Sequence, residues 1–252
     1  MGMSSRKSRE EIATMARAGR VVAEMYEVCA RTARPGVTTA AIDRAAREVL
    51  ARRDATSNFL GYHGFPAVIC ASPNSVVVHG IPDETVLQDG DIISLDCGAI
   101  IDGWHADAAI TVPVGDIDAV SQQLLEVTKR SLDRAIAALV VGNNLADVGG
   151  AAESAAVEAG LSMVRDYVGH GIGTAMHESP EVPNYRTPRG RRHRIRSGFV
   201  VAIEPMVTVG SPETETLDDG WTVVTVDGSR AAHFEHTIAV TDDGPQILTL
   251  PG

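Results

Sequence analysis

A chain of 252 residues with 44% hydrophobic content can bury a large core, as one domain or as two fused halves. Its formal net charge of −11 argues against nonspecific nucleic-acid binding as a main task, and no apolar run approaches the ~20 residues of a membrane span. Three cysteines, Cys29, Cys70 and Cys97, form no CxxC pair, and an odd count suits a reducing cytoplasm better than a disulfide framework.

In chain order, residues 1–7 carry no apolar leader and are expected to be disordered; Gly2 stands at a myristoylation position, but Arg6 occupies the place where Ser or Thr is wanted. Ser8 and Glu11 form a capping box, and Ile12, Met15, Gly19, Val22, Tyr26 and Cys29 follow at helical spacing until Pro35-Gly36. A second helix begins near Thr39, buries Ile42, Ala46, Val49 and Leu50, and fades at Arg52 to Asp54. After a loop-rich stretch, residues 91–114 read as two apolar strands meeting at Asp102-Gly103, a pair suited to a two-residue turn with positive φ. That turn sets the register: Ile101 faces Trp104, Gly98 faces Asp107 and Asp96 faces Ala109, so Asp96 and Asp107 share a face as diagonal neighbours.

The same order then repeats. A helix from about Asp118 buries Leu125, Thr128, Leu132, Ala135 and Leu139 and stops at Gly142-Asn143; another runs over 145–159 and closes on Gly160. A strand at 163–168 leads into a His-Gly segment. Gly90 to Asp96 (GDIISLD) matches Gly198 to Glu204 (GFVVAIE), and Asp107 with Ile110 and Val112 matches Glu235 with Ile238 and Val240. Two acid-bearing hairpins therefore belong to two similar halves, about 8–115 and 116–252. The spacing predicts an α+β fold of one domain, in which helix-helix-hairpin halves share a curved antiparallel sheet and the four acids meet between them.

Half-buried carboxylates repel unless they share protons or hold a cation. Histidines precede both hairpins: His79, and then His170 and His177. His63, His105 and His193 have weaker claims, and His233 and His236 flank Glu235 and are expected to face away from it. Four carboxylates with one imidazole form an oxygen-rich set suited to Mn²⁺, Fe²⁺, Co²⁺ or Zn²⁺. Two divalent ions would balance the four negative charges and, about 3.5–4 Å apart, would hold a water as hydroxide near neutral pH, which implies hydrolysis.

Seven segments carry a resemblance: Gly61 to Pro66 (GYHGFP), Asn74 to Pro82 (NSVVVHGIP), Asp89 to Asp96 (DGDIISLD), Gly169 to Gly173 (GHGIG), His177-Glu178, Ile203 to Met206 (IEPM) and Phe234 to His236 (FEH). From Ser8 onward the chain resembles the type I methionine aminopeptidases and their pita-bread fold. The resemblance implies removal of the N-terminal methionine from peptides and nascent proteins whose second residue is small. It implies Asp96, Asp107, His170, Glu204 and Glu235 as metal ligands, with Asp107 and Glu235 bridging and Glu204 also shuttling a proton. It further implies that His177 bonds the scissile carbonyl or its oxyanion, that His79 positions the substrate backbone, and that Phe59, Tyr62, Phe65, Cys70, Met176 and Trp221 wall an apolar side-chain pocket. Phe59, Phe65 and Met176 depart from residues common at those places in the family.

The short interval from His170 to Glu204 leaves no room for the helical insertion of the type II enzymes. Two alternatives stand beside the main expectation: a related enzyme cleaving before proline, which would carry a separate amino-terminal domain, and a non-catalytic binding protein of the same fold, which would have lost ligand acids. A monomer is expected. The basic loop 186–196, with Arg186, Arg189, Arg191, Arg192, His193, Arg194 and Arg196, is either a solvated loop or a dock for ribosomal RNA near the nascent-chain exit.

Overall fold

Each of the four α-helices among the described residues begins where a short polar side chain can satisfy its free amides. In the computed structural model, which describes residues 6–251, Ser8 accepts from the Glu11 amide while the Glu11 carboxylate accepts from the Ser8 amide, opening α1 (Arg9–Thr32). Thr38, Asp118 and Asn144 cap α2 (Thr39–Arg52), α3 (Ala119–Ala138) and α4 (Leu145–Glu158) in the same way. The expectation of disorder over 1–7 falls partly outside the described residues, and for Arg6 and Lys7 it is corrected. The Lys7 amide donates to the Gly198 carbonyl (2.7 Å) and the Arg6 guanidinium to the Ser197 carbonyl (2.7 Å), so the segment is pinned before the helix starts.

Strand Asp91–Ile101 pairs with Trp104–Val114 in the predicted register: Ile101 opposite Trp104, Gly98 opposite Asp107, Asp96 opposite Ala109. Asp102 (φ 50) and Gly103 (φ 78) both take the left-handed conformation that such a turn requires. Helices α1 and α2 cover the back of this hairpin, burying Met25, Ile42, Leu95 and Cys97 together. Helices α3 and α4 cover the second half, where Leu124, Leu132, Leu145 and Ile203 share a core. Each such fully buried aliphatic side chain contributes about 1.5–3 kcal/mol relative to exposure.

The second half departs from the predicted plan in two respects. Val200–Ile203 does pair with His236–Thr241, with Ile203 opposite His236, but the two are not joined by a tight turn. Pro205 has no N–H to donate, the ladder stops there, and the chain leaves on an excursion before returning at Phe234. Met206–Thr208 pairs with Ala231–His233, and farther out Val223–Thr225 pairs with Val76–Val78 of the first half. The strand predicted at 163–168 is reduced to Ser162–Met163; beyond it the chain carries Tyr167 edge-on against His79, ring centroids 5.6 Å apart.

Beneath the acids the halves meet at a backbone pair. Ala109 and Glu235 exchange both amide bonds (2.8 and 3.3 Å). On one side of that pair the Thr237 hydroxyl accepts from the Asp107 amide and donates to its carbonyl; on the other the Thr111 hydroxyl does the same for His233. Threonine side chains thus stand in for ladder bonds where the strands diverge, and no buried amide is left unpaired at the joint.

Candidate active site

The strand pairings place the acids in two neighbouring rows. In one row Cys70 lies opposite Asp96, Asp96 opposite Ala109, and Ala109 beside Glu235; one step beyond the Ile203–His236 pair, the same register sets Glu235 beside Glu204. In the next row Gly98 lies opposite Asp107, Asp107 beside Thr237, Thr237 opposite Ala202, and Ala202 opposite His170. The rows are two residues apart, so strand alternation puts them on one face. Gly98, Ala109 and Ala202 are the small residues that keep the floor between the acids low.

The resulting cluster is tight. Asp107, His170 and Glu235 are buried and offer ligand atoms within 4.8 Å of one another. His170 Nε2 lies 3.7 Å from Asp107 Oδ2 and 3.6 Å from Glu204 Oε1. The other nitrogen of that ring, Nδ1, is 2.9 Å from the Gly171 carbonyl, which can only accept. The proton therefore sits on Nδ1, and Nε2 presents a lone pair to the acids.

Burial pushes Asp96, Glu204 and Glu235 well above the ordinary carboxylate range, with repulsion from Asp107 adding to it in each case. Desolvation also raises Asp107, to about 6. It lowers His170, and depresses His177 and His79 to about 4, so all three imidazoles are neutral at physiological pH. Asp96 Oδ1 is buried with no hydrogen-bond partner. An orphaned carboxylate oxygen, a crowd of mutually raised acids and an imidazole held in its ligating tautomer fit a divalent-cation site.

Beside the acids lies an apolar chamber. Phe59, Phe65, Cys70 and Met176 are buried, with Tyr62 and Trp221 partly so, and Phe65 meets Trp221 edge-on at 5.1 Å. His177 Nδ1 is 2.7 Å from the Tyr62 hydroxyl; with the phenol as donor, the ring proton is on Nε2, the form that donates to a carbonyl oxygen. Phe59, Tyr62, Phe65, Cys70, His79, Asp96, Asp107, His170, Met176, His177, Glu204, Trp221 and Glu235 all line one cavity of about 150 Å³. Every residue singled out as catalytic, ligating or substrate-binding is thus brought to one place. Ile81 joins the apolar wall without having been foreseen.

One expectation is corrected. His233 does not face away from the acids: its Nε2 is 3.9 Å from Glu235 Oε2 and 4.0 Å from Glu204 Oε2, and it is buried without a hydrogen-bond partner. His233 and Glu235 are two positions apart, and the period of two that puts neighbours on opposite faces puts these on the same one. His236, adjacent to Glu235, does turn the other way and meets the Thr249 hydroxyl at 2.8 Å. Asn184, buried, donates to the Glu204 carbonyl (3.0 Å) and steadies the strand end; no motif in the sequence marked it.

A profile of metallopeptidase family M24 matches residues 13–242. The chain is 51% identical to methionine aminopeptidase 1 of Mycobacterium tuberculosis over 97% of its own length and 94% of that protein's. It is 49% identical to the methionine aminopeptidase of Clostridium acetobutylicum, covering 97% and 98% of the two chains. The crystal structure of a methionine aminopeptidase from Thermotoga maritima superposes with a TM-score of 0.96 at 40% identity, over 98% of this chain and 100% of that one.

Proposed function

The chain belongs to metallopeptidase family M24, and from that premise we propose that it removes the N-terminal methionine from peptides and nascent chains whose second residue is small. The observation that carries this reading is the Ala109–Glu235 joint, which aligns the acids of both halves and His170 on one face beside an apolar chamber. Asp96, Asp107, His170, Glu204 and Glu235 would hold the divalent cations, and Co²⁺, Mn²⁺, Fe²⁺ and Zn²⁺ all suit the donor set. Bound cations supply Lewis acidity toward the scissile carbonyl and toward a water.

The chain's own groups do the rest. The chamber takes the methionine side chain, and its aromatic walls favour an unbranched thioether. His79 contacts the substrate backbone and sets its depth. His177 donates from Nε2 to the scissile carbonyl oxygen and strengthens that bond as negative charge grows there. Glu204 takes a proton from the attacking water and returns it to the departing amine. Burial around the acids excludes other water, so each of these contacts acts at low dielectric.

No helix among the described residues is long and apolar enough to cross a membrane, and Cys29, Cys70 and Cys97 are free and buried. We place the enzyme in the cytoplasm as a monomer. The basic loop contributes to this reading in part: Arg186 and Arg189 face Asp147 and Glu181, and Arg194 donates to the Gly142 carbonyl. Arg191, Arg192 and Arg196 are exposed and make no ion pair among the described residues, which leaves them for ribosomal RNA. Reversing those three to Glu and finding unchanged ribosome co-sedimentation across salt concentrations would remove the ribosome from the proposal.

The deciding experiment strips the protein with chelator, restores each of the four metals in turn, and follows release of the first residue from Met-Ala-Ser, Met-Leu-Ser and Xaa-Pro peptides. Release from Met-Ala-Ser alone is the expected result. Preferred cleavage of Xaa-Pro peptides, or no release with any metal, would overturn the proposal.

A further inference from the structure

A buried ion pair lies outside the metal cluster and outside the pocket walls, and nothing in the proposed chemistry yet uses it. Lys7 Nζ is 2.5 Å from Glu178 Oε2, with the lysine side chain 3% exposed and the glutamate 17%. Burying a lone cation there would be costly, so the pair has to be held in register from both ends. At one end, the Lys7 amide is fastened to the Gly198 carbonyl, at the foot of the strand that leads to Glu204.

The other end is a tight loop. Glu178 Oε1 accepts from the amides of Thr174 (2.9 Å) and Ala175 (3.4 Å), and the Gly173 amide donates to the Ala175 carbonyl (3.1 Å). The Gly173 carbonyl in turn accepts from the His105 amide on the aspartate hairpin (2.8 Å). Gly173 leaves room for both ends of the ion pair. A Cβ there would lie 2.5 Å from Lys7 Cε and 2.5 Å from Glu178 Oε1. One carboxylate thus closes the turn with one oxygen and takes the buried cation with the other.

That turn carries Met176 into the apolar wall and His177 to Tyr62, and the Met176 backbone also hydrogen-bonds His170. We infer that Lys7, acting through Glu178, is a positioning residue for the loop 173–178 and so for His177. The inference rests on the aminopeptidase reading, because His177 matters only if a carbonyl is polarised there. It makes the segment before α1 a clasp on the active site, reaching across from the start of the chain.

The test uses Lys7→Met, which removes the cation and keeps the length of the side chain, and the double variant Lys7→Met/Glu178→Gln, which removes the carboxylate charge as well and keeps an acceptor for the two amides. Two readouts are taken on the full chain: amide hydrogen exchange of residues 174–178 in the chelated protein, and kcat and KM for Met-Ala-Ser in the reloaded one. In Lys7→Met, exchange at those amides rises about tenfold or more, with α1–α4 protection unchanged. Its kcat falls about tenfold while KM moves less than about twofold, because the lost contact belongs to the transition state. The double variant restores most of both. Unchanged exchange in Lys7→Met would overturn the clasp; faster exchange with unchanged kcat would overturn its positioning role. If the wild-type protein itself releases no methionine while the exchange result stands, the enzymatic reading has failed and the positioning role with it, and the two failures are told apart.

Discussion

The two halves present their acids in matching registers by different means. In the first half Asp96 and Asp107 sit on strands joined by two residues, and nothing but the hairpin comes between them. In the second, Glu204 and Glu235 stand one residue outside the strands Val200–Ile203 and His236–Thr241, separated by the whole excursion over 205–234. Both solutions deliver carboxylates to the same face, which shows that an acid row needs strand register and does not need a short connection. The longer route has its own use. It brings Trp221 to Phe65 at 5.1 Å and to His79 at 6.2 Å, so the pocket wall is built from chain that the first half lacks.

If that division is right, substitutions in the acid rows should cost alike in both halves, and substitutions at the connections should not. Asp107→Asn and Glu235→Gln are each expected to lower kcat/KM by about 10³-fold or more with circular dichroism unchanged. Tenfold or greater inequality between the two would break the symmetry argument. His177→Ala removes a single donor to the growing oxyanion and is expected to cost about 10²–10³-fold, mainly in kcat. Trp221→Ala should cost about tenfold, mainly in KM, since it thins a pocket wall and leaves the acids alone. A Trp221→Ala loss confined to kcat would mean that the excursion serves the chemistry directly.

How far the residues announced this arrangement differs across the same divide. The aspartate hairpin was legible to the single residue pair, because Asp102-Gly103 admits few turn types and the side-chain period of two then fixes every facing pair. Glu204 and Glu235 were legible only through the internal repeat and the family resemblance, since no local signal joins strands so far apart. His233 was misread although the needed rule was at hand: counting two positions from Glu235 puts it on the acid face. The excursion, the threonine bonds at the joint and the Lys7–Glu178 pair had no signature to read. They depend on which loops a folded sheet brings together across more than a hundred positions of sequence.

Acid titration separates the metal rows from the histidines around them. His79 and His177 titrate at about 4 in the fold, below their ordinary 6.5, so the stability they contribute is present above 6.5 and is lost as pH falls toward 4. Asp107, raised from 3.8 to about 6, acts in the opposite sense: its contribution is present below the ordinary carboxylate value and is lost as pH rises through about 6. Asp96, Glu204 and Glu235 shift the same way as Asp107. The two effects oppose each other in the chelated protein. In the loaded protein the cations hold the acids ionised, and only the histidine effect and loss of metal remain. The melting temperature should therefore fall more steeply between about pH 7.5 and pH 5 for loaded than for chelated protein. Parallel slopes would mean that the acids are not the metal ligands.

The smallest expected effect comes from the turn itself. Gly103 has φ 78 and nothing within 4 Å of where a Cβ would stand, so Gly103→Ala adds backbone strain and no clash. The cost should be about 1 kcal/mol, a shift of about 2–4 °C in Tm for a chain of this size. Because eleven facing pairs hold the hairpin from Asp91–Val114 to Ile101–Trp104, the strain has no route to Asp96 and Asp107 short of unpairing several of them. Activity at temperatures well below Tm should stay within twofold of wild type, about 0.4 kcal/mol in barrier. A tenfold loss in Gly103→Ala would mean that the turn sets the acid geometry directly, and the claim that strand register alone places the ligands would fall with it.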